Sequence, residues 1–395
     1  MANQTMMIVR DPDKPVYRLL LAQRLKEGLR RLGNRAKFCD ADPARVAARF
    51  AAERPDVLLS VSLYPELGRL AAAHGVPYFC WDYDKIMNPQ LFDRALYAPT
   101  TYFFATYLGD VRRLQALGVK ACYLPALPPL PPASTLEPSE AERAAYAADI
   151  SFVGSSVISV SNSYLKLKAL LTGGEEGASD PARAALWQLV TDAVRAQEAE
   201  SRHSRYRLPE LLAEAMASSP YAGALDPEVL HTFLGKECCR FQRLHFLEAL
   251  RDFSVTVYGA PDWTEAGLPH VHYGGHLSYE DAAPKVFQCS KINLNIARIY
   301  SMDGMSDRVG NVLSVGGFLL TNPIEGLERS FTPGKELVVF STAAELREAC
   351  AYYLAHPAER AAVAAAGRAR IARDHVPEQR LGAMFAFLAR HPPGA

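Results

Sequence analysis

The sequence predicts an α/β fold: two doubly wound, Rossmann-like domains with a helical insertion and a closing C-terminal helix. Three observations point to it. Over residues 1–125 short apolar runs alternate with amphipathic stretches, the pattern of βαβ units around a parallel sheet. A Pro-rich segment, LPALPPLPPAS (124–134), then halts the alternation where neither a central strand nor a helix can continue. A second α/β series opens at DISFVGS (149–155) and runs to the C-terminal helices.

Each element has its own warrant. MMIV (6–9) is a strand. The stretch 16–33 is a helix, because its leucines recur at helical spacing and it stops at Gly33. AKFC (36–39) is the next strand, followed by a helix from Pro43 to Glu53. DVLLSVS (56–62) is a buried strand and PELGRLAAAHG (65–75) a helix with a glycine stop. PYFCW (77–81), TYFFA (101–105) and ACYL (121–124) are further strands, the last two separated by a helix over 108–118. Residues 1–125 therefore form the first domain and 126–148 a semi-rigid linker. The second domain covers 149–375. Its insertion, 160–250, is dominated by Ala, Leu, Glu and Arg and reads as helical, with a flexible patch at TGGEEGASD (172–180). Strands follow in FSVTVYG (253–259), PHVHYGG (269–275), KINLNI (291–296), GFLLT (317–321) and ELVVF (336–340), then helices over 343–355 and 357–374. An amphipathic helix at 377–390, within the segment 376–395, closes the chain.

Composition narrows the function. The chain has 395 residues, enough for two domains, with 49% hydrophobic and 22% charged residues. Its 43 basic and 43 acidic residues cancel, which argues against nucleic acid as a partner. No run of 18 apolar residues exists, so no membrane-spanning segment is expected. The start, MANQTMMIVRD, lacks a signal-peptide pattern, and a cytoplasmic location is expected. The seven cysteines are scattered, odd in number and never spaced CxxC, so they read as free thiols rather than disulfides or a zinc site. His270 and His272 share one face of a possible strand with no acidic neighbour in sequence, a poor metal site.

The most informative stretch is DGMSDRVGNVLSVGGFLLT (303–321). It reads as a glycine-bearing loop, a helix of about three turns, a Gly-Gly stop and a buried strand. α/β proteins build phosphate sites this way, because amides at a helix start point outward unpaired and the macrodipole favours anions. Arg308 sits in the first turn, where its fork of donors can grip a diphosphate. Asp303 and Asn311 flank the loop and the helix start. The same pattern also fits an ordinary loop–helix–strand unit. Ligands of parallel sheets bind at the carboxyl ends of strands, and a cleft between two such domains suits a small molecule. That places WDYD (81–84) at a functional edge, with Asp82 and Asp84 as acid/base candidates or, alternatively, helix caps. Gly154 and Ser155 hold the corresponding place after DISFV. Lys291 opens a strand and is a second cation candidate or a structural partner. Asn295, polar inside KINLNI, needs partners and either braces the loop or touches ligand.

The runs DISFVGS (149–155), SKINLNI (290–296), SDRVGNVLSVGGFLLT (306–321), FTPGKELVVF (331–340) and YYLAHPAER (352–360), with GVPYFCWDYD (75–84) and LQALGVKACYLPA (114–126), resemble GT-B-fold group-1 glycosyltransferases, in particular the CgeB-like (spore-maturation-type) group. The resemblance covers nearly the whole chain except the insertion. It implies transfer of a sugar from a nucleotide diphosphate sugar to a protein, glycan or small-molecule hydroxyl, without a metal or separate cofactor. Retaining members carry a Glu–seven residues–Glu pattern before a small-residue helix. Here Asp303 and Asn311 take those places with GMSDRVG between them. By resemblance Asp303 meets the sugar, Gly304 and Arg308 the diphosphate and Asn311 the ribose. Asn311 departs from the pattern, since an amide lacks a carboxylate's charge-assisted bond. The loop Tyr273-Gly274-Gly275-His276 corresponds to one lying against the nucleotide base. A non-catalytic nucleotide- or glycan-binding protein and a sugar-nucleotide epimerase are the alternatives on the same scaffold.

Overall fold

The computed structural model describes residues 3–128, 137–158, 161–173, 180–217 and 227–393. Most of the Pro-rich run and of the TGGEEGASD patch lies outside them. The chain divides into two compact units. The first comprises Met1–Thr135, Asp303–Val315 and Gly367–Ala395, and the second Leu136–Met302 and Gly316–Ala366.

The first unit is built on β1 (Thr5–Val9), α1 (Val16–Arg31), β2 (Arg35–Cys39), α2 (Pro43–Ala52), β3 (Val57–Ser60), α3 (Pro65–Ala73), β4 (Tyr78–Asp82), β5 (Thr101–Ala105), α4 (Leu108–Ala116) and β6 (Lys120–Tyr123). Its strands form one parallel sheet in the order β2-β1-β3-β4-β5-β6. The apolar runs are continuous because both faces are covered. Met6, Ile8, Phe79 and Trp81 pack with Leu21, Leu25 and Leu29 of α1 and with the C-terminal helix residues Leu381, Met384 and Phe385. The alternate residues Met7, Val9, Tyr78 and Cys80 pack with α2, α3 and α4 through Phe50, Leu67 and Leu114. The period of two along each strand thus feeds two cores. The glycine stops at 33, 75 and 118 have φ of 78°, 63° and 72°, the left-handed backbone that ends a helix cheaply only in glycine.

The second unit opens with α5 (Glu140–Tyr146), held by a capping box between Ser139 and Glu142. β7 (Ala148–Val153) leads into the helical insertion, α6 (Ser161–Thr172), α7 (Pro181–Ser201), α8 (Leu208–Ala217) and α9 (Pro227–Glu248). Then come β8 (Val255–Tyr258), β9 (Val271–Tyr273), α10 (Ala282–Cys289) and β10 (Ser290–Asn295). After α11 (Asp307–Ser314) the unit continues with β11 (Leu319–Thr321), β12 (Val338–Val339) and α12 (Ala343–Ala355). This sheet is also parallel, ordered β12-β11-β10-β7-β8-β9. α13 (Pro357–Asp374) and α14 (Pro377–Arg390) end the chain.

The α/β class with two parallel sheets is the expected one, and the differences between expected and observed elements are local. α11 has eight residues, about two turns rather than three. ELVVF contributes only Val338 and Val339 to the sheet. α5 and α10 are helices beyond those the sequence pattern predicts. All seven cysteines are free, with Cys122 and Cys289 half-buried and the others buried. Among the described residues no helix is long and apolar enough to cross a membrane.

Candidate functional site

The carboxyl edge of the first sheet collects charge. β4 ends at Asp82, and the chain continues through Tyr83 and Asp84 to Lys85. Arg18 lies in the first turn of α1, which follows β1, so it reaches the same edge. Its guanidinium is 2.6 Å from Asp84 and 3.8 Å from Asp82, and it also donates to the Ser62 hydroxyl. Tyr17 donates its phenol to Asp84. Asp82 and Asp84 therefore share one cation, Asp82 buried and Asp84 half exposed. Burial raises the Asp82 carboxyl to about 6; Arg18 opposes the rise and Asp84 adds to it.

A second cluster adjoins it in sequence. The Lys85 ammonium is 2.7 Å from Asp303 and 3.4 Å from Asp110. Asp110, in the first turn of α4, is 1% exposed and accepts from the Ile86 amide at 3.0 Å. Burial raises its carboxyl to about 6 although Lys85 pulls the other way. Asp303 serves as the anion at the start of α4. Its Oδ2 accepts from the Gly109 amide at 2.7 Å, and its carbonyl accepts from Leu108 at 2.9 Å. α4 has no side-chain cap of its own, so this carboxylate satisfies amides that would otherwise be orphaned. The Lys85 and Gly109 bonds both fall on Oδ2, which leaves the Oδ1 lone pairs for other donors.

Gly304 completes the attachment through an antiparallel bridge to Tyr107. A Cβ at Gly304 would sit 2.2 Å from the Thr106 carbonyl oxygen, a distance no side chain tolerates. Gly304→Ala is therefore expected to lower stability by about 1–3 kcal/mol, read as a lower urea midpoint at unchanged slope. Arg308 is half-buried in the first turn of α11. Asn311 is 1% exposed and donates to Asp307 at 3.4 Å.

The carboxyl edge of the second sheet is glycine-lined. Gly154 follows β7; its amide donates to the Tyr258 carbonyl at 2.9 Å and its carbonyl accepts the Trp263 indole N–H at 2.8 Å. The Ser155 hydroxyl accepts from the Val157 amide at 3.0 Å, and its carbonyl accepts from Arg243. Tyr273 donates to the Gly259 carbonyl at 3.0 Å while its ring packs on the core of the unit. His276 is exposed. The structure thus gathers Gly154, Ser155 and Tyr273 at one edge, with these polar groups bonded within the protein.

The structure decides between the readings of three further residues. Lys291 is at the amino end of β10, away from the carboxyl edge, and pairs with Asp149 at 2.6 Å, so it is structural. Asn295 braces the sheet, donating to Thr321 at 2.9 Å. His270 does have an acidic neighbour, Glu248 at 3.9 Å. Among the described residues no group of three or more His, Cys, Asp or Glu could hold a metal ion. Sequence reasoning missed Arg18, Lys85 and Asp110. All three fall within the turn or first helical turn after a strand's carboxyl end, a positional signal available in the sequence.

Residues 242–386, which include the whole 303–321 stretch, match the family model described as Glycosyl transferase-like. No curated protein matches the chain. Solved structures do. HepE from Anabaena, in complex with UDP and glucose, is 10% identical with a TM-score of 0.54, covering 98% of this chain and 100% of its own. Sucrose-phosphate synthase from Thermosynechococcus elongatus is 9% identical with a TM-score of 0.55 and the same coverage. A glycosyltransferase from Rickettsia africae ESF-5 is 9% identical with a TM-score of 0.55, covering 100% of both chains. At such identities the likeness is one of fold, and with two six-stranded parallel sheets that fold is GT-B. The chain is thus similar to glycosyltransferases in fold over nearly its whole length and in sequence over 242–386.

Proposed function

We propose that this chain is a group-1 GT-B glycosyltransferase, of the CgeB-like group it resembles. It moves a sugar from a nucleotide diphosphate sugar to an acceptor hydroxyl on a protein, glycan or small molecule, in the cytoplasm and without a metal ion. The observation that carries the reading is Asp82, a buried carboxyl raised to about 6 and held by Arg18 at the carboxyl edge of a doubly wound sheet. An acceptor hydroxyl needs a base that is ionised near neutrality yet basic enough to take a proton, and burial gives Asp82 that character. Asp84 orients Arg18 and is the alternative base.

The leaving diphosphate needs positive charge and amide donors. Arg308, in the first turn of α11 beside Gly304, has that role. Asp303 offers its Oδ1 to sugar hydroxyls, and Asn311 serves the ribose. Gly154, Ser155, Tyr273 and His276 form the nucleotide side of the second unit. That HepE has been seen with UDP-glucose supports a nucleotide-sugar donor.

The test is nucleoside diphosphate release from a panel of UDP-, GDP- and ADP-sugars with candidate acceptors. Arg308→Ala is expected to lower kcat/KM by roughly 10²–10³-fold for the accepted donor, with circular dichroism checking that the variant is folded. Release that survives Arg308→Ala at full rate overturns the diphosphate assignment. A chain that releases no nucleotide from any donor overturns the function.

A further inference from the structure

The second unit contains a cavity that the proposed chemistry leaves unused. It has a volume of about 360 Å³ and lies where the end of α7 meets the last turns of α9 and the turn at Gly267–Leu268. These residues precede β8 and β9, so in a parallel sheet they gather at the amino edge, opposite Gly154 and Gly259. His270 fixes the corner by bonding the Leu247 carbonyl at 3.0 Å.

The lining has a specific chemistry. Phe241, Leu244 and Leu268 provide apolar wall, and Glu198, Arg202 and His245 provide polar groups. Gln242 also lines the cavity. It is 0% exposed, and neither its amide oxygen nor its amide nitrogen has a hydrogen-bond partner among the described residues. A buried amide with both ends unmet is costly and uncommon, and it marks a place where a donor and an acceptor are wanted together.

The charges here are already compensated. Arg202 is 3.9 Å from Glu198. Glu248 is bonded by Arg251 and has His270 at 3.9 Å. Burial and the nearby Arg202 push His245 down, which favours the neutral imidazole, whose two nitrogens are one donor and one acceptor. An ion of either sign therefore meets a counter-charge that is already engaged. A neutral molecule with adjacent hydroxyls meets planar carboxylate, guanidinium and amide groups that bond vicinal oxygens, and an aromatic ring for its apolar face.

We propose that this cavity is a carbohydrate-binding site for one or two neutral sugar units, separate from the donor chemistry and independent of its assignment. The experiment uses the full chain in saturation-transfer NMR and calorimetric titration. The probes are methyl glycosides of glucose, galactose, mannose and N-acetylglucosamine, maltose as a disaccharide, and glycine betaine as a zwitterion. At least one neutral sugar should bind with a dissociation constant on the order of 1 mM, undisturbed by saturating UDP. Arg202→Ala, at an exposed position, should weaken it about tenfold, and Gln242→Leu should abolish it. Leu268→Trp, which fills the cavity from its rim, serves if Gln242→Leu does not fold, and it too should abolish binding. Absence of sugar binding, displacement by UDP, binding of betaine alone, or unchanged binding in these variants overturns the proposal.

Discussion

Asp82→Asn is expected to abolish most sugar transfer while making the protein more stable at neutral pH. The two effects have one origin. In the folded chain burial raises the Asp82 carboxyl from 3.8 to about 6, with Arg18 opposing. As a base it should contribute roughly 10²–10⁴-fold to kcat, and kcat/KM of the native enzyme should fall as pH drops through about 6. The Asn variant should keep a residual rate whose profile has lost that limb. For stability the sign is opposite to that of a salt-bridged carboxylate. A folded-state value above the unfolded one means the native state binds more protons between about pH 4 and 6. Stability from this group is therefore present at low pH and is lost as pH rises through 6. Removing the charge should stabilise at pH 7.5 by roughly 2–3 kcal/mol, a gain that vanishes near pH 4. Arg18 keeps Asp84 at 2.6 Å in the variant, so it is not stranded. Urea melts at both pH values, beside the pH–rate profile, check both halves. An unchanged profile removes Asp82 from the chemistry, and a variant less stable at pH 7.5 contradicts the burial argument.

A trade of stability for activity is what a functional edge would show, and part of that edge was legible in the sequence. TYFFA became β5 residue for residue because its apolar run follows the turn at Pro99–Thr100 and stops just before α4. α12, α13 and α14 also match their expected bounds, since Thr342, Pro357 and Pro377 mark their starts. α10 was hidden by Pro284 inside it, which local propensity reads as a break. Asp82 and Asp84 could be picked out because they end an apolar strand. Their partner Arg18 could not be assigned, because 66 positions separate it from Asp84. Asp303 shows the same limit. Its loop and helix were visible, yet its carboxylate caps α4, nearly two hundred residues earlier, and meets Lys85 across 218 positions. Periodicity and spacing report which residues share an element's face. They carry no information on which distant charge fills a helix start, a choice settled by packing of the whole unit.

Lys85→Met tests that distant pairing and should be the most destabilising single change in the charged edge. The ammonium lies between Asp303 at 2.7 Å and Asp110 at 3.4 Å, and it is itself only 15% exposed. Asp110 is almost fully buried and is already raised to about 6 with Lys85 present. Without the cation it faces a like charge, Asp303, in a poorly solvated setting. Removing one partner of a buried ion pair typically costs about 3–5 kcal/mol, and most of that is the stranded carboxylate. The loss should therefore depend on pH. Asp110 in the variant holds its proton to a still higher pH than in the native chain, so the penalty is small at pH 5 and grows as pH rises to 8. Adding Asp110→Asn to Lys85→Met should recover much of the stability at pH 8, because an amide can still accept from Ile86 without a charge to bury. Arg45→Met breaks the exposed Arg45–Asp40 pair, and there no shift in the urea midpoint is expected. A Lys85→Met variant as stable as the native chain at pH 8, or equally destabilised at pH 5 and pH 8, would show that Lys85 does not hold these carboxylates. If Asp303 does meet the donor sugar, the double variant should recover its fold yet bind donor more weakly, since only the Gly109 amide then holds Oδ2 and the cation that fixes the carboxylate is gone.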